Sequence, residues 1–359
     1  MRSLNVLMTA ASRRVPLVQS FRQALRALGI DGRVIVTDVN PLSPAVHVAD
    51  RAYRVPMATD PEYIAELLAI CEAERVRLLV PTIDDELPLF GEAKDQFAHI
   101  GTKVACSPAS TSITCNDKYA TCARLQDAGV AAAATFLPDA LPAAPAFPLF
   151  IKPRIGRGAV GAYQVRSVEE LQFFSKYVSD PVIQEYLEGP EFTIDVLCDF
   201  EGTPLSIVPR ERVVIRAGVI DRGRTVNDPR LILLAEAACA ALPFAGPLNI
   251  QCRMRGREPV IFEINPRFSG GIPLTIQAGA DFPQMLLHLA LGRRVPPSIG
   301  SFRDGLWMTS FESSFFLDTP HIRMQTFNRR LRLVHSQATV ESPRAEYRAA
   351  PLSRPAIPA

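Results

Sequence analysis

Residues 150–161 read FIKPRIGRGAVG and set Lys152 ahead of three glycines, Gly156, Gly158 and Gly161. Glycines at this spacing let backbone N–H groups approach anionic oxygens, and Lys152 and Arg157 add positive charge. The chemistry that suits such a segment is polyphosphate binding. A dinucleotide-binding turn needs a helix directly after its glycines; AYQV follows here, alternating as a strand does, and the next helix waits until Ser167. A P-loop places its lysine after the glycines, not before them. The segment is therefore expected to run strand, glycine loop, strand. On the loop alone, a flexible hairpin with a solvated lysine fits the same residues.

A second group of residues could hold a metal. In PLNIQCRM (247–254), Asn249, Gln251 and Arg253 share one face; in PVIFEINPR (259–267), Ile261, Glu263 and Asn265 share one, with Val260, Phe262 and Ile264 opposite. Pairing centred on Arg257 puts Gln251 across from Glu263 and Asn249 across from Asn265, with opposed Cβ atoms about 5 Å apart. One carboxylate and several amide oxygens are hard ligands of the kind Mg²⁺ takes alongside substrate phosphates. The polar outer face of an ordinary hairpin is the competing reading. Lys118 falls in the first turn of a helix, where a cation opposes the helix dipole by roughly 0.3–1 kcal/mol. An anion held nearby accounts for it, as does a screened surface position.

The elements that must carry these residues change character along the chain. LNVLM (4–8), RVIVTDV (33–39), VRLLVPT (76–82) and TKVACS (102–107) are expected strands, with helices over 16–28 and 60–74 between them. Gly29 is placed to end the first helix. This alternation predicts a doubly wound parallel sheet, whose ligands gather beyond the carboxyl ends of the strands. From about residue 110 the pattern becomes mixed: a helix from Asn116 or Asp117 to Gly129, a Pro/Ala-rich stretch at 138–148, and a helix over 167–178 opened by the S-x-x-E capping box of Ser167 and Glu170. Strands follow at 182–187, 191–200 and 205–215, then a helix at 229–242, the 248–265 hairpin and a helix at 282–292. The expected domains are 1–112, 113–318 (with a glycine-loop subdomain over about 113–187) and an Arg/Pro-rich peripheral tail over 319–359.

Composition narrows the classes. Five of the 39 basic residues are lysines, and the formal charge of +2 makes no case for a nucleic-acid partner. No apolar run approaches a membrane span, and the seven scattered cysteines read as reduced thiols of a cytoplasmic protein. The first βα turn, TAASRR (9–14), lacks glycine, which argues against a nicotinamide site.

An ordered series of motifs, NDK (116–118), FIKPRIGRGAVG (150–161), QEYLEGPEF (184–192), NIQ (249–251) and FEINPRFSGG (262–271), resembles the ATP-grasp superfamily, and within it stand-alone proteins related to the carbamoyl phosphate synthase large chain. The resemblance covers roughly residues 1–300. It implies a pre-ATP-grasp, Rossmann-like sheet followed by an ATP-grasp fold of two α+β subdomains. It implies ATP and Mg²⁺ (or Mn²⁺) as cofactors, with Lys118 and Lys152 at the nucleotide phosphates and Gly156, Arg157, Gly158 and Gly161 in the closing loop. Gln184, Glu185, Tyr186 and Leu187 match the adenine hinge, Glu191 the residue at the ribose, and Gln251, Glu263 and Asn265 the metal ligands. Arg267 matches the basic residue facing the transferred phosphoryl group, with Arg210 and Arg212 in similar positions. Ser12, Arg13, Asp84, Asp85 and Glu86 fall where an acceptor site would be built. The expected activity is a carboxylate–amine ligase acting through an acyl phosphate on small-molecule substrates, in a protein expected to dimerise. A phosphotransferase, a bicarbonate-activating enzyme and a non-catalytic nucleotide-binding module are the alternatives. Carbamoyl phosphate synthesis itself does not follow, since a single module lacks the second repeat and the glutaminase.

Overall fold

A computed structural model describes residues 3–216, 218–316 and 324–327; the rest of the expected 319–359 tail lies outside the described residues. The chain opens with β1 (Asn5–Met8), α1 (Val15–Ala27), β2 (Val34–Asp38), β3 (Arg51–Arg54), α2 (Tyr63–Ala73), β4 (Val76–Val80), α3 (Leu87–His99) and β5 (Lys103–Val104). Helices α4 (Ala109–Asn116) and α5 (Lys118–Asp127) lead to β6 (Thr135–Phe136), β7 (Leu149–Pro153), β8 (Tyr163–Val165), α6 (Val168–Tyr177) and β9 (Pro181–Glu185). Next come β10 (Glu191–Cys198), β11 (Pro204–Arg216), β12 (Val219–Thr225), α7 (Pro229–Ala241), β13 (Gly246–Arg255) and β14 (Glu258–Asn265). The described elements end with α8 (Ile272–Gln277), α9 (Phe282–Ala290), β15 (Trp307–Thr309) and β16 (Met324–Thr326).

These strands make three sheets. The first, in the order β16-β3-β2-β1-β4-β5, is parallel at every pairing, as the βα alternation predicts. The second, β14-β13-β10-β11-β12-β15, and the third, β6-β9-β7-β8, are antiparallel. Two features depart from the sequence reading. Strands β3, β6, β12 and β15 and helices α3, α4 and α8 lie outside the sequence reading. RAYR and ASTSITCN are too short or too polar to show a period, whereas α3 does carry one in Leu87, Phe90, Ala93 and Phe97. Met324–Thr326, inside the segment expected to be a peripheral tail, instead pairs with β3 at the sheet edge.

One core fixes the first sheet against the second. Helix α1 turns Leu17, Val18, Phe21, Ala24 and Leu25 inward at helical spacing, and Gly29 ends it at φ 60°. These side chains meet Leu4, Val6 and Met8 of the first sheet, Leu205 and Val208 of β11, and Phe268 and Phe282 beyond the hairpin. Phe21 and Phe268 stack edge to face at 6.1 Å. Each fully buried Leu or Phe contributes about 1.5–3 kcal/mol. The loop after β14 is thereby held against the carboxyl ends of the first sheet. The other face of the second sheet packs on α5 and α7, while the third sheet has only a small core of its own.

The hairpin of β13 and β14 carries the central correction. Asn249 pairs with Asn265 and Gln251 with Glu263, the expected register. Beyond them the pairing shifts by one: Cys252 faces Ile261 and Arg255 faces Glu258, around a two-residue turn with Gly256 at φ 60°. Phe262 is therefore the extra residue of a β-bulge. A bulge puts consecutive residues on one face. Phe262 and Glu263 both line the site, whereas Ile261 joins Ile264 in the core, opposite to the simple alternation expected for 260–265.

Candidate active site

The second and third sheets enclose a cavity of about 290 Å³. Its walls come from β7 (Phe150, Lys152), the glycine loop, the 184–187 segment, Glu191, Arg212, and the hairpin residues Gln251, Arg253, Phe262 and Glu263. A smaller cavity of about 90 Å³ adjoins it, sharing Lys118, Gly156, Arg157 and Glu263 and adding Asp84, Asp85, Asn116 and Asn265. The residues expected at a polyphosphate and those expected at a metal thus face the same space.

Lys118 reaches the site because Asp117 caps α5, its carboxylate accepting from the N–H groups of Tyr119 and Ala120 at 3.0 Å. The other carboxylate oxygen of Asp117 holds Arg154 at the stem of the glycine loop, at 2.6 Å. Lys118 Nζ donates to the Gly156 carbonyl at 2.7 Å and is buried. Lys152 is 5% exposed, with Nζ 3.4 Å from the Phe262 carbonyl. Burial pulls its pKa down to about 8, against the opposing attraction of Glu263. A lysine so desolvated is expensive to keep charged, and an anionic ligand would relieve that cost.

The glycine loop is anchored at its tip as well. Arg157 Nη2 reaches Asp85 at 2.7 Å, both half exposed. Gly158, at φ 69°, packs against Gly218 between β11 and β12; a Cβ on Gly218 would lie 2.9 Å from the Gly158 Cα. Gly161 does not line the cavity but turns at the loop's base against Pro153. Its part is conformational, at φ 71°, and it makes no wall.

In the 184–187 segment the side chains are committed to the scaffold. Gln184 Nε2 donates to Thr135 Oγ1 at 2.9 Å and to Cys122 Sγ at 3.3 Å, and Glu185 Oε1 accepts from the Ala134 N–H at 2.9 Å. This leaves backbone groups to face the cavity beside Tyr186 and Leu187. Glu191 is no free carboxylate: Arg212 holds one oxygen at 2.7 Å and Arg253 the other at 2.6 Å. Arg253 received no ligand role in the sequence reading. Its place on the same face as Gln251 was the available signal.

The two arginines of PRER separate. Arg212 lines the cavity, bonding Gly218 O at 2.7 Å and Gln251 Oε1 at 3.3 Å. Arg210 does not. It is 1% exposed, with Nε and Nη2 on the two oxygens of Asp195 at 2.7 and 3.1 Å and Nη2 on Ser269 at 2.9 Å. The reason is the Ser269–Gly271 segment, which covers it: a Cβ on Gly271 would meet the Arg210 Nη1 at 2.4 Å. The catalytic role expected of Arg210 is replaced by a structural ion pair.

Arg267 lines neither cavity but backs the smaller one. Nε and Nη2 bond Asp84 Oδ2 at 3.1 and 2.9 Å, and Nη2 also bonds Asn265 Oδ1 at 3.1 Å. Of the expected acceptor residues, Asp84 and Asp85 line the smaller cavity. Ser12 is exposed, with its N–H on Asp38, and Arg13 is exposed. Glu86 is buried against Tyr63 and Thr9 Oγ1, and burial pushes its pKa up to about 7.

The metal question turns on Glu263, Asn265 and Gln251. Asn265 Nδ2 donates to Glu263 Oε1 at 3.0 Å, so carboxylate and amide converge. No group of three His, Cys, Asp or Glu assembles among the described residues. One carboxylate with amide oxygens suits Mg²⁺, which keeps waters and substrate phosphates in its shell. Asn265 would have to turn its amide over to present oxygen, releasing Arg267.

Residues 6–105 match the family model "PylC-like, N-terminal domain" and residues 178–313 the model "ATP-grasp in the biosynthetic pathway with Ter operon"; Lys118 and the glycine loop fall between them. The carbamoyl phosphate synthase large chain of Thermoanaerobacter sp. (strain X514) is 26% identical over 178 residues, 45% of this chain and 16% of that protein, so this chain spans a small part of that relative. Among solved structures, the Campylobacter jejuni biotin carboxylase–βγ-ATP complex superposes with TM-score 0.66 at 15% identity, covering 84% of this chain and 74% of that one. The L-amino acid ligase of Bacillus licheniformis gives 0.65 at 19%, covering 85% and 78%. At such identities these structures establish the fold. The family matches thus set an ATP-grasp domain, over 178–313, behind a PylC-like N-terminal domain, over 6–105.

Proposed function

We propose that the chain is an ATP-dependent carboxylate–amine ligase working through an acyl phosphate, with residues 1–112 and 113–318 acting as its acceptor-binding and nucleotide-binding domains. The observation that carries this reading is the common cavity of Lys118, Lys152 and Glu263 under a glycine loop, next to the smaller cavity lined by Asp84 and Asn265. Nucleotide base and ribose would lie between the 184–187 segment and Phe262, and the phosphates between Lys152, Lys118 and the loop. Bound at Glu263 with Asn265, Mg²⁺ would supply neutralisation of phosphate charge.

A carboxylate is a poor electrophile, and ATP installs a leaving group on it. The carboxylate oxygen attacks the γ-phosphorus in line, ADP leaves, and an amine then displaces phosphate to form the amide. The residues position the reactants and neutralise charge. Lys118 exchanges the Gly156 carbonyl for a phosphate oxygen, and Lys152 gains the anion its burial lacks. The loop, tied by Arg154 at its stem and Arg157 at its tip, excludes water from a hydrolysable intermediate. The L-amino acid ligase among the structural relatives supports the amine as acceptor.

The experiment is ADP release from purified protein with ATP, Mg²⁺ and a panel of carboxylates, with hydroxylamine as the acceptor. Hydroxamate formation marks the acyl phosphate. ADP release without hydroxamate under every carboxylate would overturn the reading.

A further inference from the structure

Glu191 opens β10 on the wall of the larger cavity, and the strands on either side of β10 each set an arginine against it. Arg253 of β13 is its direct cross-strand partner. On β11, the antiparallel pairing of Phe192 with Glu211 brings Arg212 beside it. A row of charge, Arg212–Glu191–Arg253, therefore crosses the second sheet at one level, and all of it lines the cavity. Arg212 donates to Glu191 Oε1 at 2.7 Å. Arg253 donates to Oε2 twice, from Nη2 at 2.6 Å and from Nε at 3.1 Å. A carboxylate offers about four lone-pair sites, two on each oxygen. Both on Oε2 are filled, and Oε1 keeps one. Glu191 so held can accept from one hydroxyl.

Arg253 also ties Glu191 to the 184–187 segment. Its Nη1 donates to the Leu187 carbonyl at 3.2 Å, and Leu187 is itself buried with Ala133 and Val260 against Phe262. A guanidinium is planar and spreads its donors at fixed angles, so one side chain sets the separation between the end of that segment and the carboxylate. Arg212 alone would not do this. Without Arg253, the carboxylate is free to turn both oxygens onto the Arg212 guanidinium, the stronger two-oxygen fork, and no acceptor is then held toward a ligand.

We infer that Arg253 is a positioning residue for nucleotide selection: it holds Glu191 so that Oε1 accepts one ribose hydroxyl, and the site thereby selects a ribonucleotide over the nucleotide lacking that hydroxyl. The inference rests on the nucleotide reading above and adds to it a residue that lies outside the motifs NIQ (249–251) and FEINPRFSGG (262–271) on either side of it. Arg253 acts through Glu191 and Leu187, both of which line the cavity.

The test is calorimetric titration of the magnesium complexes of ATP, 2′-deoxyATP and 3′-deoxyATP into the full chain and its Arg253 variants. Wild type is expected to bind one deoxy nucleotide about tenfold or more weakly than ATP and the other within about threefold, as the loss of a single hydrogen bond to a charged group implies. Arg253→Leu is expected to bind ATP about tenfold more weakly but the disfavoured analogue within about threefold of its wild-type affinity, so that the preference disappears. Arg253→Lys keeps the charge without the fork that spans Glu191 and Leu187. It retains part of the preference, and it serves if Arg253→Leu does not fold. A merely structural arginine would lose all three nucleotides by one common factor, and that result overturns the inference. So does a wild type that discriminates against neither analogue or equally against both, and so does full preference in the variants. A wild type that binds none of the three overturns the nucleotide reading, and this inference with it.

Discussion

Lys152 Nζ lies 3.4 Å from the carbonyl oxygen of Phe262, the residue that the β14 bulge brings to the same face as Glu263. The bulge sets an aromatic ring and a carboxylate side by side beneath a buried ammonium, whose nitrogen is 5.3 Å from the Phe262 ring centre. The Glu263 carboxylate and cation–π attraction oppose the desolvation of Lys152 but leave its pKa at about 8.

A pH dependence follows. An anion favours the charged lysine, so ATP binding raises the pKa of Lys152 above about 8 and takes up a proton wherever the free protein has lost it. Affinity should fall as pH rises through about 8, with proton uptake approaching one per site, measured by calorimetry in buffers of different ionisation enthalpy. For stability the sign is opposite. The unfolded lysine titrates near 10.5, so between about 8 and 10.5 the unfolded chain binds more protons and the ligand-free fold gains stability as pH rises. Lys152→Met should accordingly stabilise the ligand-free protein by about 1–3 kcal/mol while abolishing nucleotide binding. A Lys152→Met protein that binds ATP normally would remove Lys152 from the phosphate site.

The pairing of Gln251 with Glu263 is readable from sequence because alternation and a short turn fix it within a residue. The bulge is not, since PVIFEI gives no local mark of an extra residue, and its cause is the packing of Ile261 against the second sheet's core. The separation of Arg210 from Arg212 is likewise invisible in PRER. Strand periodicity puts both on one face, and only the return of residues 269–271 over Arg210 decides which one is sealed. Short motifs with their own capping chemistry fare best: Asp117 caps α5 and Ser167 accepts from the Glu170 N–H, although Glu170 bonds back to the Arg166 N–H and not to that of Ser167.

Arg210 and Arg212 should therefore fail differently. Arg210→Ala strands the buried carboxylate of Asp195 and is expected to cost about 3–5 kcal/mol of stability. Arg212→Ala removes a cavity wall and a partner of Glu191, so ATP affinity should drop about tenfold or more with a smaller loss in thermal midpoint. Denaturant unfolding and nucleotide titration of both variants check this. Equal stability losses would mean that the sealed and the cavity-lining arginine are not distinct.

Glu263→Gln keeps the shape of the site and its bond to Asn265 while removing the carboxylate that converges with that amide. Apparent Mg²⁺ affinity in the ADP-release assay should fall about 10- to 100-fold, with thermal stability within about 0.5 kcal/mol of wild type. An unchanged Mg²⁺ dependence would exclude Glu263 as a ligand.

Gly218 tests the closing loop from outside it. Its φ of 75° disfavours any side chain, and a Cβ there would meet the Gly158 backbone at 2.9 Å. Gly218→Ala should cost about 1–2 kcal/mol locally through the left-handed conformation alone. The larger effect is on the loop, which has to withdraw from the β11–β12 turn. Water then reaches the phosphates, so ADP release without product should rise relative to hydroxamate formed, while carboxylate affinity stays near wild type. Limited proteolysis gives the independent reading: cleavage after Arg157 should be faster in Gly218→Ala and slowed less by ATP. If ATP protects Arg157 equally in both proteins, contact with the β11–β12 turn is not what holds the loop down.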